Sequence, residues 1–195
     1  MSGVQPIVLG VSGASGAAIA MRIAERLRAL ENVETHLVIS RPAQRTLVHE
    51  LGKGATDRLV QLADHVHAVN DIGAKIASGS FRTKGMIIAP CSMRTLGAIA
   101  NSLSDNLLVR AADVHLKERR RLVLLTRESP LHLGHLRAMC TLTEMGAIIA
   151  PPVPAFYLKP ANIAEMVDQI AGRAIDLLAL DIPAQAAAWD GHIVD

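Results

Sequence analysis

Short hydrophobic runs alternate along this chain with longer segments in which apolar residues recur every three or four positions. The runs cover residues 5–11 (QPIVLGV), 34–39 (ETHLVI), 85–89 (GMIIA), 121–125 (RLVLL) and 147–150 (AIIA). Apolar runs of this length bounded by turn residues are typical of strands buried on both faces of a parallel sheet. They predict five or six strands.

Helices are predicted between the runs. The first shows the helical spacing clearly, with apolar side chains at Ile19, Ile23, Leu27 and Leu30. Further helices are predicted from Pro42 toward Leu51 and over residues 95–100, 105–118, 131–144 and 163–180. Strands that alternate with helices favour an α/β fold, a doubly wound parallel sheet with helices on both faces. We expect one domain over residues 1–195 with a C-terminal tail from about residue 181, and residues 52–80 show no clear pattern.

Composition narrows the class of protein. Half of the 195 residues are hydrophobic and only 2% are aromatic, so the core must consist of Ala, Val, Ile and Leu. A net charge of +2 argues against a nucleic-acid partner. No signal peptide and no membrane-length apolar segment is visible. Cys91 and Cys140 form no metal or redox motif, so we expect a cytoplasmic protein in which Cys91 is a packing residue.

Small polar residues follow each predicted strand. The loops read SGASG (12–16), Ser40, PCSMRT (90–95), TRESP (126–130) and the proline-rich segment 151–157. Open α/β sheets bind ligands at the carboxyl ends of their strands. Gly13 and Gly16 would let the backbone approach a ligand, and helices expected to begin at Ser15 and Ser92 would favour an anion. The pattern predicts a phosphate-bearing nucleotide, but it contains neither GxGxxG nor a P-loop.

Five longer motifs resemble those of one family. They are VSGASGA (11–17), SGSFRT (78–83), APCSMRTL (89–96), DNLLVRAADVHLKERRRLVLLTRESPL (105–131) and PPVPAFY (151–157). In this order they are similar to the UbiX/Pad-type flavin prenyltransferases, and the resemblance covers roughly the whole chain. The segment LHLGHLRAM (131–139) is similar to the variant found in the B-type subunits that accompany phenolic-acid decarboxylases.

The resemblance implies both a fold and a reaction. The fold would be flavodoxin-like (Rossmann-like), in a homo-oligomer that is typically a dodecamer. The reaction would transfer a dimethylallyl group from dimethylallyl monophosphate to N5 and C6 of reduced FMN, without a metal. The product, prenylated FMN, would serve a UbiD-type decarboxylase. The single basic cluster favours the monophosphate over the pyrophosphate, although the sequence does not decide between them.

The resemblance also implies site residues. Those for FMN are Gly13, Ala14, Ser15, Ser40, Ser92, Met93, Arg94, Thr95 and Arg127. Those for dimethylallyl phosphate are Ser78, Arg110, Lys117, Arg127, Tyr157 and Arg173, and the catalytic set is Ser15, Glu50, Lys117, Glu128 and Tyr157.

Residue chemistry suggests what these groups would do. We expect the Lys117, Arg127 and Arg173 cations, together with the Tyr157 hydroxyl, to stabilise the departing phosphate. Glu128 or the released phosphate would accept the proton lost at ring closure. The Ser15 hydroxyl would orient the flavin at N5 or relay a proton there.

Some charged residues are expected to play no part. A run of charges is usually a solvated helix end, which is our expectation for Arg119, Arg120 and Arg121. No metal site is expected, because no carboxylate or thiolate completes the pair His65 and His67 or the pair His132 and His135 at a suitable spacing.

Two alternatives stay open at this point. One is a flavin-dependent cysteine decarboxylase, although such enzymes have an early catalytic histidine and a PASANT-like loop. Here residues 16–30 contain no histidine and the loop reads PCSMRT. The other is an FMN carrier protein, which would not need the second group of phosphate-binding residues.

Overall fold

The computed structural model describes residues 3–189 and 191, and these form a parallel sheet of six strands. The strands are β1 (Gln5–Val11), β2 (Val33–Ile39), β3 (His65–His67), β4 (Gly85–Cys91), β5 (Arg121–Thr126) and β6 (Ile148–Ile149). Their order is β3-β2-β1-β4-β5-β6, so the direction of winding reverses between β1 and β4. The predicted doubly wound α/β fold is confirmed, with its ligand-binding switch point at that reversal.

In the part of the chain that the structure describes, seven helices cover the two faces of the sheet. They are α1 (Ala17–Arg28), α2 (Arg41–Leu51), α3 (Ala55–Gln61), α4 (Met93–Ala100), α5 (Leu107–Lys117), α6 (Leu133–Glu144) and α7 (Ile163–Asp176). Helices α1, α2, α3 and α7 pack on one face and α4, α5 and α6 on the other. In β1, Ile7 and Leu9 face the first layer and Val8 faces the second, because side chains alternate along a strand.

Several predicted boundaries need correction. Strand β4 does not stop at Ala89 but continues through Pro90 to Cys91, where the pairing with β5 shifts register. A proline lacks an N–H and is tolerated in a strand at such an irregularity. Helix α1 begins at Ala17 instead of Ser15, and α7 ends at Asp176 instead of residue 180.

The unassigned stretch 52–80 contains α3, β3 and a short 3₁₀ turn, Lys75–Ala77. Strand β3 has only three residues, two of them histidine, and lies at the edge of the sheet. A strand this short and polar leaves no run of apolar residues in the sequence.

Two expectations about single side chains had different outcomes. Cys91 is fully buried in the second layer, and burial raises the pKa of its thiol to about 12, as expected of a packing residue. The expectation for Arg120 is wrong. Its guanidinium is half-buried and donates to the carbonyl oxygens of Gly79 (2.5 Å) and Phe81 (2.8 Å), so it holds the 79–81 loop to the end of α5.

Within the described residues, no helix has the length and apolar character needed to cross a bilayer.

Candidate active site

A cleft of about 540 Å³ opens where β1, β2 and β4 end. We call it the strand-end cleft. Its lining consists of Gly13, Ser40, Arg41, Pro42, Val69, Ser92, Arg94, Thr95, Asn106 and Leu108. Five of these, Gly13, Ser40, Ser92, Arg94 and Thr95, are among the residues that the sequence predicted to bind FMN. Parallel strands bring them together because their carboxyl ends meet at one edge of the sheet.

Gly13 allows two loops of the cleft to touch. A Cβ at this position would lie 2.3 Å from the Cβ of Pro42 and 3.1 Å from its carbonyl carbon. The loop after β1 therefore packs directly on the first turn of α2, and only glycine permits this approach.

Serine residues cap the two helices that begin at the cleft. Ser40 accepts from the Ala43 N–H (3.3 Å), and Ser92 accepts from the Thr95 N–H (3.3 Å). The Ser92 hydroxyl also donates to the Thr95 hydroxyl (3.1 Å). Because Pro42 has no N–H and Ala43 donates to Ser40, α2 can offer a ligand only the first-turn N–H of Arg41, whereas α4 can offer those of Met93 and Arg94. These groups lie in a region rich in hydroxyls, which suits an anion.

A buried hydroxyl beneath the cleft, that of Ser12, was not among the predicted site residues. Ser12 donates to the Pro90 carbonyl (2.8 Å) and accepts from the Ser92 N–H (2.7 Å). It therefore joins the loop after β1 to the loop after β4. The only signal in the sequence is that Ser12 is the first polar residue after an apolar strand.

Asn106 was also missed, although it lines the cleft and caps α5 by accepting from the Val109 N–H (3.1 Å). An asparagine directly before an apolar helical segment is a recognisable cap signal. Beside it, Arg94 forms an ion pair with Asp105, so one residue of the predicted FMN set is already oriented by a carboxylate.

The N-terminus of α1 does not offer its N–H groups to a ligand as expected. The carboxylate of Glu50 accepts from the N–H groups of Gly16 (3.0 Å) and Ala17 (2.8 Å). Burial raises the pKa of Glu50, but hydrogen bonds from Ser15 and these N–H groups and the nearby Arg127 cation outweigh it, so the pKa is lowered. Glu50 is therefore an ionised cap that lies against Ser15.

Arg127 lies beside this cap. Its Nε donates to the carbonyl oxygen of Ser15 (3.3 Å), which links the end of β5 to the loop after β1. The next residue, Glu128, is exposed and accepts from the N–H of Ser129 (3.1 Å). Ser15, Glu50 and Arg127 thus form one group at the strand ends.

A second cavity, of about 470 Å³, lies between β5, α7 and the C-terminal tail. We call it the tail pocket. Tyr157 and Arg173 line it together with Pro151, Val153, Ile170, Ala174 and Trp189. The rings of Tyr157 and Trp189 meet edge to face, with centroids 5.4 Å apart. The pocket combines apolar walls with the Arg173 cation and the Tyr157 phenol, which suit a small apolar group attached to a phosphate, and its lining also includes Gln169 and Asp176, whose side chains hold the tail.

The tail is held in place at its base. Both carboxylate oxygens of Asp176 accept backbone N–H groups, from Gln185 (2.7 Å) and Ala186 (3.0 Å). Gly172 admits this contact, since a Cβ there would lie 2.5 Å from the Gln185 carbonyl oxygen.

The remaining predicted phosphate contacts lie elsewhere in the chain. Lys117 ends α5 just before β5 begins, whereas Arg127 follows the end of β5, so the length of the strand, about 20 Å, separates them. Lys117 pairs with Glu118. Arg110 pairs with Asp113 (2.6 Å) and donates to the Ala77 carbonyl (3.3 Å), next to Ser78. A single chain therefore does not assemble Lys117, Arg127, Tyr157 and Arg173 into one cluster.

A flavin mononucleotide fits the chemistry of the strand-end cleft. The cleft offers a glycine contact that excludes a Cβ, two helix N-termini and several hydroxyls, the donor set expected around a phosphate.

Comparisons with known proteins agree with this arrangement. The family model described as Flavoprotein matches residues 1–174. The flavin prenyltransferase UbiX of Thauera aromatica is 54% identical over 186 residues, covering 95% of this chain and 94% of that protein. The UbiX of Escherichia coli K12 is 50% identical over 187 residues, covering 95% of this chain and 98% of that protein.

Solved structures show the same likeness. A UbiX protein (PadA1) in complex with FMN and dimethylallyl pyrophosphate has a TM-score of 0.91 at 47% identity, covering 97% of this chain and all of that one. A dodecameric FMN-dependent UbiX-like decarboxylase from Escherichia coli O157:H7 has a TM-score of 0.91 at 43% identity, covering 96% of this chain and 100% of that one. An FMN-dependent cysteine decarboxylase, TvaF, is 16% identical with a TM-score of 0.65 and shares the fold alone. The chain belongs to the flavoprotein family and, within it, to the UbiX flavin prenyltransferases.

Proposed function

We propose that this protein transfers a dimethylallyl group from dimethylallyl monophosphate to N5 and C6 of reduced FMN, producing prenylated FMN. The observation that carries the proposal is the presence of two separate cavities of different chemistry. The strand-end cleft has the helix N-termini and hydroxyls that suit a nucleotide phosphate. The tail pocket has apolar walls with Tyr157 and Arg173, which suit a prenyl phosphate. An FMN carrier would need only the first of these.

The FMN site in this proposal consists of Gly13, Ala14, Ser15, Ser40, Ser92, Met93, Arg94, Thr95 and Arg127. When bound, reduced FMN supplies the nucleophilic N5 and C6 atoms. Hydroxyls and N–H groups of the cleft bind the phosphate of the nucleotide. Arg127 holds the backbone of Ser15, and the ionised Glu50 fixes Ser15 from the other side, so that the serine hydroxyl is oriented at the strand ends.

The residues outside the FMN site stabilise the charges that form when the prenyl donor ionises. The allylic C–O bond breaks and the phosphate leaves with the electron pair. Arg173 and the Tyr157 hydroxyl stabilise this leaving group by charge-assisted hydrogen bonds. Apolar walls exclude water from the allyl cation, which would otherwise be hydrolysed. The ring carbon loses a proton at the end of the reaction, and Glu128 or the released phosphate accepts it.

A homo-oligomer would complete the site. Lys117 lies near the start of β5, about 20 Å from Arg127 at its end, so a neighbouring copy must bring this cation to the departing phosphate. Arg110, with Ser78 beside it, lies along α5 between Lys117 and the cleft residue Leu108. Helix α6 offers a surface for such contacts, because Leu133 and Leu136 are exposed and only Leu142 of this helix is fully buried. The dodecameric relative makes a dodecamer the expected assembly.

The biological setting is part of the same proposal. Prenylated FMN would pass to a UbiD-type decarboxylase, as the recipient of the product. The cytoplasm is the expected location, in agreement with two free cysteines, Cys91 and Cys140.

The test is to incubate the protein anaerobically with reduced FMN and a prenyl donor and to measure the mass of the extracted flavin. We expect the flavin to become heavier by one C5H8 unit, and the product to form faster with the monophosphate than with the pyrophosphate. An unchanged flavin mass at saturating donor would exclude the transferase. Faster turnover of the pyrophosphate would overturn only the choice of donor.

A further inference from the structure

A cluster of imidazole and carboxylate groups lies outside both cavities, on strands β2 and β3. It contains Glu34, His36 and His65, whose ligand atoms all lie within 4.8 Å of one another. The Oε1 atom of Glu34 is 2.8 Å from Nε2 of His36 and 3.1 Å from Nε2 of His65. The carboxylate beside His65 comes from the neighbouring strand β2, so the spacing of residues around His65 and His67 did not indicate it.

Parallel pairing explains why these side chains converge. His36 lies directly opposite His65 in the register of β2 and β3, and side chains two residues apart in a strand point the same way. Glu34 and His36 therefore share a face with His65 and His67. The imidazole rings of His36 and His65 stack with centroids 4.6 Å apart, which turns both Nε2 atoms toward the same carboxylate oxygen.

We propose that Glu34, His36 and His65 form a binding site for a divalent transition-metal ion of the zinc class. Two imidazole nitrogens and one carboxylate oxygen are a ligand set that zinc adopts when a fourth position stays open to water. Adjacent ligand atoms in a tetrahedral site with bonds of about 2.0–2.1 Å lie about 3.3 Å apart. The two carboxylate–imidazole distances, 2.8 and 3.1 Å, therefore need a slight opening. The nitrogens of the two imidazoles, which lie within 4.8 Å of each other on rings stacked at 4.6 Å, would have to come to that spacing when the ion binds.

The surroundings supply what a metal-binding histidine requires. His36 is fully buried, and its other ring nitrogen, Nδ1, lies 3.0 Å from Nε2 of His67. When Nε2 of His36 binds the ion, Nδ1 carries the proton and donates it to His67, which fixes the orientation of the ring. His65 is 44% exposed on its side chain, so the ion has a path from solvent and room for a water ligand.

One group opposes the ion. The Lys75 ammonium lies 3.8 Å from the same Glu34 oxygen and sits over the ring of Phe81, 4.9 Å from its centroid. A bound dication would repel this ammonium, and Lys75, which is on a short 3₁₀ turn and half exposed, would move away. Removing its charge should therefore strengthen binding of the ion.

The site is separate from the proposed chemistry. Glu34 is near the start of β2, whereas Ser40 of the strand-end cleft follows its end, about 20 Å away. The ion would tie the three-residue edge strand β3 to β2 without taking part in prenyl transfer.

Metal-free protein should be titrated with Zn²⁺ by calorimetry, and with Co²⁺ by its visible absorption, which reports ligand geometry. We expect saturable binding of one ion per chain, lost or weakened in Glu34→Gln and in His65→Ala. The expected loss is at least the ~10–100-fold that removal of an outer partner costs a metal site, and His67→Ala should show that smaller effect. Lys75→Gln should bind Zn²⁺ more tightly than the unchanged chain.

The matched control is His132→Ala. His132 and His135 also lie close together, with ring centroids 3.6 Å apart and ring planes tilted by 30°, but neither belongs to the group of possible metal ligands found among the described residues. Equal loss of Zn²⁺ binding in His132→Ala and His65→Ala, or unchanged binding in Glu34→Gln, would overturn the proposal, as would the absence of saturable binding. Prenyl transfer should be the same with and without EDTA, so the result for metal binding is independent of the result of the transferase assay.

Discussion

The strand-end cleft and the tail pocket are built in different ways. The cleft consists of short loops that each follow a strand, and hydrogen bonds from Ser12 and Arg127 join these loops. The tail pocket is assembled from β5, a proline-rich segment, α7 and the C-terminal tail, and it closes through one aromatic contact, Tyr157 with Trp189. The cleft is thus anchored in the core of the sheet, whereas the pocket depends on a tail that side chains of two helices hold, Asp176 and Gln169 of α7 and Arg26 of α1. We expect substitutions in the cleft to change FMN binding and those in the pocket to change turnover of the prenyl donor.

The largest effect is expected for Arg173→Ala in the tail pocket. Removal of a group that stabilises developing charge costs about 10²–10³-fold in rate. Prenylation measured by flavin mass should fall by that factor, while FMN affinity measured by fluorescence stays unchanged. The control is Arg28→Ala, which removes an exposed ion pair with Asp64 far from both cavities. Loss of FMN in Arg173→Ala would show that the two cavities are not separate.

Gly13→Ala, in the strand-end cleft, should have the next largest effect. The added methyl group would overlap Pro42, and overpacking of this kind costs about 1–3 kcal/mol. We expect weaker FMN binding and a lower melting temperature. Gly97→Ala is the matched control, since a Cβ there meets nothing within 4 Å in helix α4. If Gly13→Ala leaves both FMN affinity and melting temperature unchanged, the close approach of the two loops matters neither for the site nor for stability.

Glu50→Gln tests the cap at the border of the cleft. The folded-state pKa of Glu50 is lowered, so its charge stabilises the fold above the ordinary carboxyl pKa, and that contribution is lost as pH falls through the folded value. The variant should be less stable by about 1 kcal/mol near neutral pH, the usual worth of a cap. Thermal melting as a function of pH should show the difference vanishing in acid. A difference that grows in acid would contradict this assignment.

The smallest effect is expected for Trp189→Ala. The edge-to-face contact with Tyr157 is worth about 0.5–1.5 kcal/mol, so KM for the prenyl donor should rise by up to about tenfold with little change in kcat. Steady-state kinetics measures both constants. Unchanged KM would mean that the tail does not close the pocket.

Much of the cleft could be predicted from the pattern of strands, whereas Tyr157 and Arg173 of the pocket were predicted only from the family resemblance. Ser40 and Ser92 follow apolar strands, so the rule that ligands bind at strand ends locates them without a structure. The role of Glu50 is different, because its carboxylate reaches α1 from another helix and nothing local indicates that contact. The contacts of Arg120 could not be predicted for the same reason, because its partners are distant in sequence and a run of charges indicates an exposed side chain.

The histidine cluster shows the other limit of sequence reasoning. His65 and His67 lie in a strand of three residues that has no apolar pattern, and their carboxylate comes from β2, 31 positions before His65 in the sequence. Only the pairing of the two strands brings Glu34 and His65 together. Separations of this kind become visible when the order and register of the strands are known.

The buried hydroxyl of Ser12 should affect the affinity and the selectivity of FMN binding. Its two hydrogen bonds fix the loops after β1 and β4 to each other without any ligand, so we expect this part of the cleft to be preorganised. A preorganised site loses little conformational entropy on binding, so little of the binding free energy is offset by the cost of ordering its loops. The backbone of the loops after β1 and β4 should therefore be the same in the free and the flavin-bound protein. A flavin whose side chain, between ring and phosphate, differs in shape should bind poorly, because these loops have little freedom to adapt to it.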